Sequence, residues 1–157
     1  LVLSTLHTND APSAISRLLE LGVPYYLLRA SLLGVMAQRL IRTLCPHCKQ
    51  ETTIKASEWE ELTRPWSAAV PKKIYKAVGC EECRDTGYRG RAGVYEIMLL
   101  NDSNKQLLTG ELDLVKLKHQ AYRDGMRSLR LSGAQKIAAG LTTVEEVLRV
   151  TPQSESR

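Results

Sequence analysis

All four cysteines of the chain fall in two Cys-x-x-Cys pairs, Cys45-Pro46-His47-Cys48 and Cys80-Glu81-Glu82-Cys83. Two thiolates two residues apart can wrap one cation from a single tight turn. Two such turns supply the four soft ligands that tetrahedral zinc prefers. The pattern therefore predicts one structural zinc on Cys45, Cys48, Cys80 and Cys83, with no open position for water and hence no Lewis-acid chemistry. Two other chemistries share the spacing. A pair of disulfides needs an oxidising compartment that nothing in the chain announces. A thioredoxin-like redox pair follows a strand and has one nucleophilic cysteine, whereas these two pairs are equivalent and flanked by turn residues. His47 is a substitute ligand in principle, but with four cysteines at hand it is expected to be a solvated knuckle histidine.

A second candidate is His7. It follows Leu1-Val2-Leu3-Ser4-Thr5-Leu6, which reads as a strand entered in mid-element, without an initiator methionine, as in a fragment. It precedes a helix that Asp10 can cap and whose first turn tolerates Pro12. Open α/β sheets bind ligands outside the carboxyl ends of their strands, which makes His7 a functional candidate. The alternative is a hydrogen-bonded loop histidine.

These residues need elements to carry them. Ile15, Leu18, Leu19 and Leu21 predict an apolar face on a first helix ending at Gly22. Leu27, Leu28, Leu32, Val35, Met36, Leu40 and Ile41 recur at helical spacing and predict a second helix, opened by Pro24 and running to the first cysteine pair. Between the pairs, Ser57-Glu58-Trp59-Glu60 has capping-box spacing for a short helix ended by Arg64-Pro65, and Lys73 to Val78 alternates like a strand. The glycine-rich run from Arg84 to Gly93 predicts tight turning beside the metal, and Val94 to Leu100 a strand. The last third is helical, with Asp102 and Asp113 as caps, Gly110, Gly125 and Gly140 as stops, and overlapping capping boxes at Thr142-Thr143-Val144-Glu145-Glu146. The tail from Pro152 to Arg157 is polar and expected to fray.

Composition bounds the partners. A 157-residue chain with 43% hydrophobic residues can bury a real core. The longest apolar stretch, Pro24 to Leu44, is interrupted by Arg29, Gln38, Arg39 and Arg42 and fails as a membrane span, and no cleavable signal opens the chain, so a cytosolic location is expected. The formal charge of +5 suits an acidic partner, but four thiolates against one divalent zinc lower it by two. Arg84, Arg89 and Arg91 beside a knuckle permit a rival reading, a free-standing zinc-ribbon nucleic-acid-binding protein. Against it, the basic residues are scattered, and the tyrosines near the knuckles form no stacking platform.

Several stretches together resemble one family. Leu3-Ser4-Thr5-Leu6-His7-Thr8-Asn9-Asp10-Ala11 resembles the histidine box of secretion-motor ATPases. The likeness continues through Leu33 to Leu40, both cysteine pairs, Thr86-Gly87-Tyr88-Arg89-Gly90-Arg91, and Thr142 to Thr151. The chain is similar to the carboxyl-terminal part of a GspE-type ATPase of the type II secretion system, with PilB-type pilus-assembly ATPases as near relatives. The resemblance implies an α/β fold: the end of a RecA-like P-loop ATPase core over residues 1–44, a zinc-binding tetracysteine module over 45–93, and a returning strand with a helical subdomain over 94–157. It implies a cytoplasmic hexameric motor, acting at the inner membrane through platform proteins rather than on nucleic acid, that uses ATP and Mg²⁺ to assemble a pseudopilus or pilus. It makes His7 the catalytic candidate, in polar contact with the γ-phosphate or the attacking water, and Arg91 an intersubunit or nucleotide-facing residue. No G-x-x-x-x-G-K-[ST] phosphate loop occurs in the chain. By itself it is expected not to turn over ATP.

Overall fold

In chain order, the computed structural model, which describes residues 1–152, has helices α1 (Ala11–Glu20) and α2 (Tyr25–Ser31), strands β1 (Gly34–Leu44) and β2 (Gln50–Thr52), helix α3 (Ala56–Thr63), strands β3 (Ile74–Lys76) and β4 (Tyr88–Leu99), and helices α4 (Asp102–Gln106), α5 (Leu114–Arg123), α6 (Leu129–Ala138) and α7 (Val144–Val150). A single 3-10 turn covers Glu81–Cys83. The fold is mixed α/β, and the expectation for residues 153–157 lies outside the described residues.

Local chemistry explains most helix ends. Asp10 accepts the Ser13 N–H at 2.9 Å and opens α1. Asp113 does the same for α5 through Lys116, Ser128 for α6 through Leu131 and Thr143 for α7 through Glu146. Gly22, Gly125 and Gly140 follow helices at positive φ. Three details differ from expectation: Asn101, not Asp102, caps α4, Leu21 is exposed, and α3 begins after Lys55 with no side-chain cap.

Two larger corrections concern strands. Residues 1–8 form no strand, and Leu1, Val2 and Leu3 are exposed. A strand needs a neighbouring strand for its backbone groups, and β1 to β4 pair with one another as β1 with β4 and β2 with β3. The second helix is also wrong in extent. It stops at Ser31, and residues 34 to 44 are β1. In β1 the even-numbered residues Gly34 to Arg42 are exposed, while Val35, Ala37, Arg39, Ile41 and Thr43 are buried or half-buried, which is the period of a strand. What decides is the distant partner β4. The Leu100 N–H donates to the Leu33 carbonyl at 2.9 Å, and the Thr43 hydroxyl to the Arg89 carbonyl at 2.5 Å, so the two strands run antiparallel. β4 in turn begins six residues before the expected Val94 and absorbs Gly90 and Gly93.

The chain divides into two compact units. One comprises residues 1–37 and 96–127, with Ile15, Leu28, Met98, Leu108 and Leu117 in its core. The other comprises, among the described residues, 38–95 and 128–152. Within it β2 and β3 pair antiparallel with Glu51 opposite Tyr75, and Ile54, Trp59, Leu62, Ile74, Ala134, Ile137 and Val147 form the core. Gly133 lies in α6 because a Cβ there would strike the Val147 methyls of α7. No helix among the described residues is long and apolar enough to cross a membrane.

Candidate metal centre

The first cysteine pair sits where β1 ends. The Leu44 N–H donates to the Leu141 carbonyl at 2.8 Å, the Cys45 N–H to the Gly87 carbonyl at 2.9 Å, and the Lys49 N–H closes the turn on the Cys45 carbonyl at 3.1 Å. The second pair is built by the 3-10 turn. The Cys83 and Asp85 N–H groups both donate to the Cys80 carbonyl, at 3.1 and 2.9 Å, and Arg84 and Asp85 take left-handed φ angles of +53° and +59° to turn the chain back toward β4.

The two turns bring all four sulfurs within 4.8 Å of one another. Cys45 and Cys80 sulfurs are 3.9 Å apart, and Cys48 to Cys83 and Cys80 to Cys83 are 3.8 Å. A tetrahedron with Zn–S bonds of about 2.3 Å has edges of about 3.8 Å, so the donor set fits zinc in both chemistry and spacing. The backbone is already arranged for thiolates. The Gly79 N–H points at the Cys48 sulfur at 3.3 Å, and the Cys80 and Gly87 N–H groups point at the Cys83 sulfur at 3.2 Å each. Burial pushes the Cys80 thiol up to about 11. At Cys83 burial also raises the thiol, but the Cys80 and Gly87 N–H donors overcome it and draw the thiol down to about 6. Each cysteine is unbridged. His47 is exposed and stands outside the cluster.

Gly87 is needed at this centre for two reasons. Its φ is +74°, and a Cβ would lie 2.7 Å from the Ala77 Cβ and 3.0 Å from the Val78 nitrogen. Left-handed backbone costs an L-residue roughly 1–2 kcal/mol before any clash. Gly87→Ala is therefore expected to lower zinc affinity by about tenfold or more, read by competition with a chromophoric chelator; unchanged affinity would contradict this role.

A polar network braces the end of β1. Glu146 of α7 is buried and accepts from the Arg42 N–H at 2.9 Å and the Arg42 guanidinium at 2.8 and 3.0 Å. It also accepts from Arg149 at 2.7 and 3.1 Å. The Arg42 guanidinium lies 4.1 Å from the centre of the Tyr88 ring, whose hydroxyl is 2.8 Å from that of Thr143. Lys49 donates to the Gly140 carbonyl at 2.9 Å and lies 4.5 Å from the Tyr75 ring centre.

The other candidates lie elsewhere. His7 is exposed in the irregular segment before α1, and Arg91 is exposed on β4. Sequence reasoning missed Glu146 and Glu96. In the sequence Glu146 shows only as part of a capping box. Glu96, 2% exposed, had a visible signal: it shares the parity of Val94 and Met98 in an alternating strand and so must face inward with them.

Residues 1–149 match the family described as "Type II/IV secretion system protein". Among curated relatives, a type IV pilus assembly ATPase, TfpB, of Acinetobacter baylyi is 54% identical over 97% of this chain and 26% of its own length. The type II secretion system protein E of Pseudomonas aeruginosa is 46% identical over 96% of this chain and 30% of its own. The type IV pilus assembly ATPase PilB of Myxococcus xanthus is 46% identical over 94% of this chain and 26% of its own. The chain thus spans between a quarter and a third of the length of these relatives.

Proposed function

Since the chain belongs to the type II/IV secretion system protein family, we propose that it is the carboxyl-terminal part of a cytoplasmic motor ATPase that couples ATP hydrolysis to pseudopilus or pilus assembly. The observation that carries this reading is the family match running unbroken through the histidine stretch, both cysteine pairs and the closing helices. In this reading the parent is a hexamer with a RecA-like core, works with Mg²⁺, and passes its motion to inner-membrane platform proteins. The tetracysteine centre holds a structural zinc that fastens the end of β1 to the start of β4. His7 contacts the γ-phosphate or the attacking water, and Arg91 faces a neighbouring subunit or the nucleotide. The nucleic-acid alternative gains nothing from the fold: Arg89 is engaged with Glu82 at 3.2 Å, and the Arg42 side chain with Glu146 and Tyr88.

Phosphoryl transfer depends on positioning and on charges that stabilise the transferring group: a cradle for the β- and γ-phosphates, a lysine and Mg²⁺. The cradle motif is missing from this sequence. What these residues can add is one polar group, His7, near the site of bond breaking. The purified chain is accordingly expected to release no phosphate from ATP above a protein-free control, while the full-length protein does so with Mg²⁺. Full-length His7→Ala should lose about 10²-fold in turnover, with nucleotide binding largely spared because the phosphate loop dominates it. Hydrolysis by the isolated chain would sink the first half, and wild-type turnover by His7→Ala the second.

A further inference from the structure

Glu96 places a carboxylate, 2% exposed, on the inward face of β4. Its Oε1 accepts the N–H of Ala11, the first residue of α1, at 2.7 Å, across 85 positions of sequence. One residue before Ala11, Asp10 is also buried. It accepts the Ser13 N–H at 2.9 Å and the Ser13 hydroxyl, and its other oxygen holds the Lys118 ammonium of α5 at 3.3 Å. These bonds to Ser13 and the Lys118 ammonium outweigh burial and keep the Asp10 carboxyl below the usual carboxylate range. The first turn of α1 itself carries no acid. Both negative charges at its positive end are thus supplied by residues outside the helix.

Two consequences follow. A helix start that binds phosphate does so with free N–H groups, and here the Ala11 and Ser13 N–H groups are given to carboxylates, so the start of α1 is closed to a phosphate. The chain entering the helix is also tied back to it at Thr8. His7 and Asn9 are exposed, Thr8 between them is half-buried and Asp10 is buried, and the Thr8 hydroxyl donates to the Asp10 carbonyl at 3.2 Å.

We infer that Glu96, with the Asp10–Lys118 pair, is the positioning group for His7, clamping the first turn of α1 so that the imidazole is presented from a fixed stalk to the terminal phosphate of a nucleotide. This rests on the reading of His7 given above. Neither carboxylate touches the nucleotide. Their role is carried through His7, and the phosphate contact comes from the side chain because the helix start has no N–H groups to offer.

The first arm of the test uses the chain itself and does not depend on ATP. Glu96→Ala should accelerate hydrogen exchange at the Ala11 amide about tenfold or more, as loss of a hydrogen bond to a charged acceptor predicts. Unchanged exchange at Ala11 overturns the inference. The second arm measures steady-state kinetics of the full-length protein. Glu96→Ala should lower kcat with little change in KM, Glu96→Gln should recover most of the loss because its amide oxygen still accepts the Ala11 N–H, and Glu96→Ala with His7→Ala should be no slower than His7→Ala alone. Losses that add in the double variant, or a Glu96→Gln as slow as Glu96→Ala, overturn the positioning role. If instead His7→Ala turns over like the wild type, the assignment of His7 has failed, while the exchange result still stands or falls by itself. Should Glu96→Ala not fold, Lys118→Met carries the same kinetic test from the other side of the clamp.

Discussion

Chelation of the purified, zinc-loaded chain is expected to release one metal per chain and to loosen residues 45 to 93, read as a rise in amide exchange and protease cleavage across that segment. The four sulfurs converge from two turns, across which the Cys45 N–H donates to the Gly87 carbonyl and the Gly79 N–H to the Cys48 sulfur. Without a cation, four thiols with sulfurs 3.8–3.9 Å apart have little reason to stay together. Zinc binding in small modules is worth roughly 10–16 kcal/mol at neutral pH, as much as the whole stability of a typical domain, roughly 5–15 kcal/mol. The loss should therefore be large near the centre. The α5 amides, which pack in the other unit around Leu117 and Ala121, are expected to keep their slow exchange. Alkylation gives the matching count: four thiols protected with metal and four reactive without it. A metal-free chain with unchanged exchange in this segment, or fewer than four protected thiols, would refute a structural zinc.

Replacing Glu146 by Ala is expected to cost about 3–5 kcal/mol, the range for leaving half of a buried ion pair without its partner. The carboxylate is 1% exposed and accepts five hydrogen bonds from Arg42 and Arg149. The arginines themselves are about half exposed, so the lower end of that range is the better guide. Urea unfolding monitored at pH 7 should show the midpoint falling by about 1 M or more. The pH dependence has a definite sign. Burial raises the Glu146 carboxyl, but the Arg149 and Arg42 bonds overcome it and hold the group at about 2, below its ordinary value of 4.5. A depressed folded-state value means the stabilisation is fully present above 4.5 and drains away as pH falls toward 2. Acid also returns protons to the cysteines, so the quantity to follow is the difference between wild type and Glu146→Ala at each pH. That difference should shrink between pH 4.5 and 2. A constant difference would mean that packing, not charge, carries the role of Glu146.

The clustering of the four cysteines was legible because it is encoded locally: each Cys-x-x-Cys pair sits in a turn four residues long, and the two turns converge. Helix starts were legible for the same reason, as at Asp10, Asp113 and Thr143. β1 was not. The buried residues Ala37, Ile41 and Leu44 are spaced four and three apart, which mimics a helix face, and only pairing with β4 selects the extended form. The Glu146 network joins residues 104 positions apart, and the Glu96 bond to Ala11 spans 85. No window of local sequence contains both partners. Leu1 to Leu6 shows the converse error: apolar, strand-like residues stay irregular where no partner strand meets their backbone.

Between the cysteine pairs the chain makes a long excursion through α3 and β3, and at its far side Ser67, Ala68, Ala69 and Val70 are exposed and belong to no helix or strand. In the proposed zinc-bound form the metal, not this loop, would set the separation of the two turns. Loop closure entropy grows only with the logarithm of length, about 0.6 kcal/mol for each doubling. Residues 67–70 are thus a place where chain length is nearly free, suited to carrying an epitope, a fluorophore or a small inserted domain. A reporter grafted there would ride on the α3 side of this unit, away from the four cysteines at the ends of the excursion.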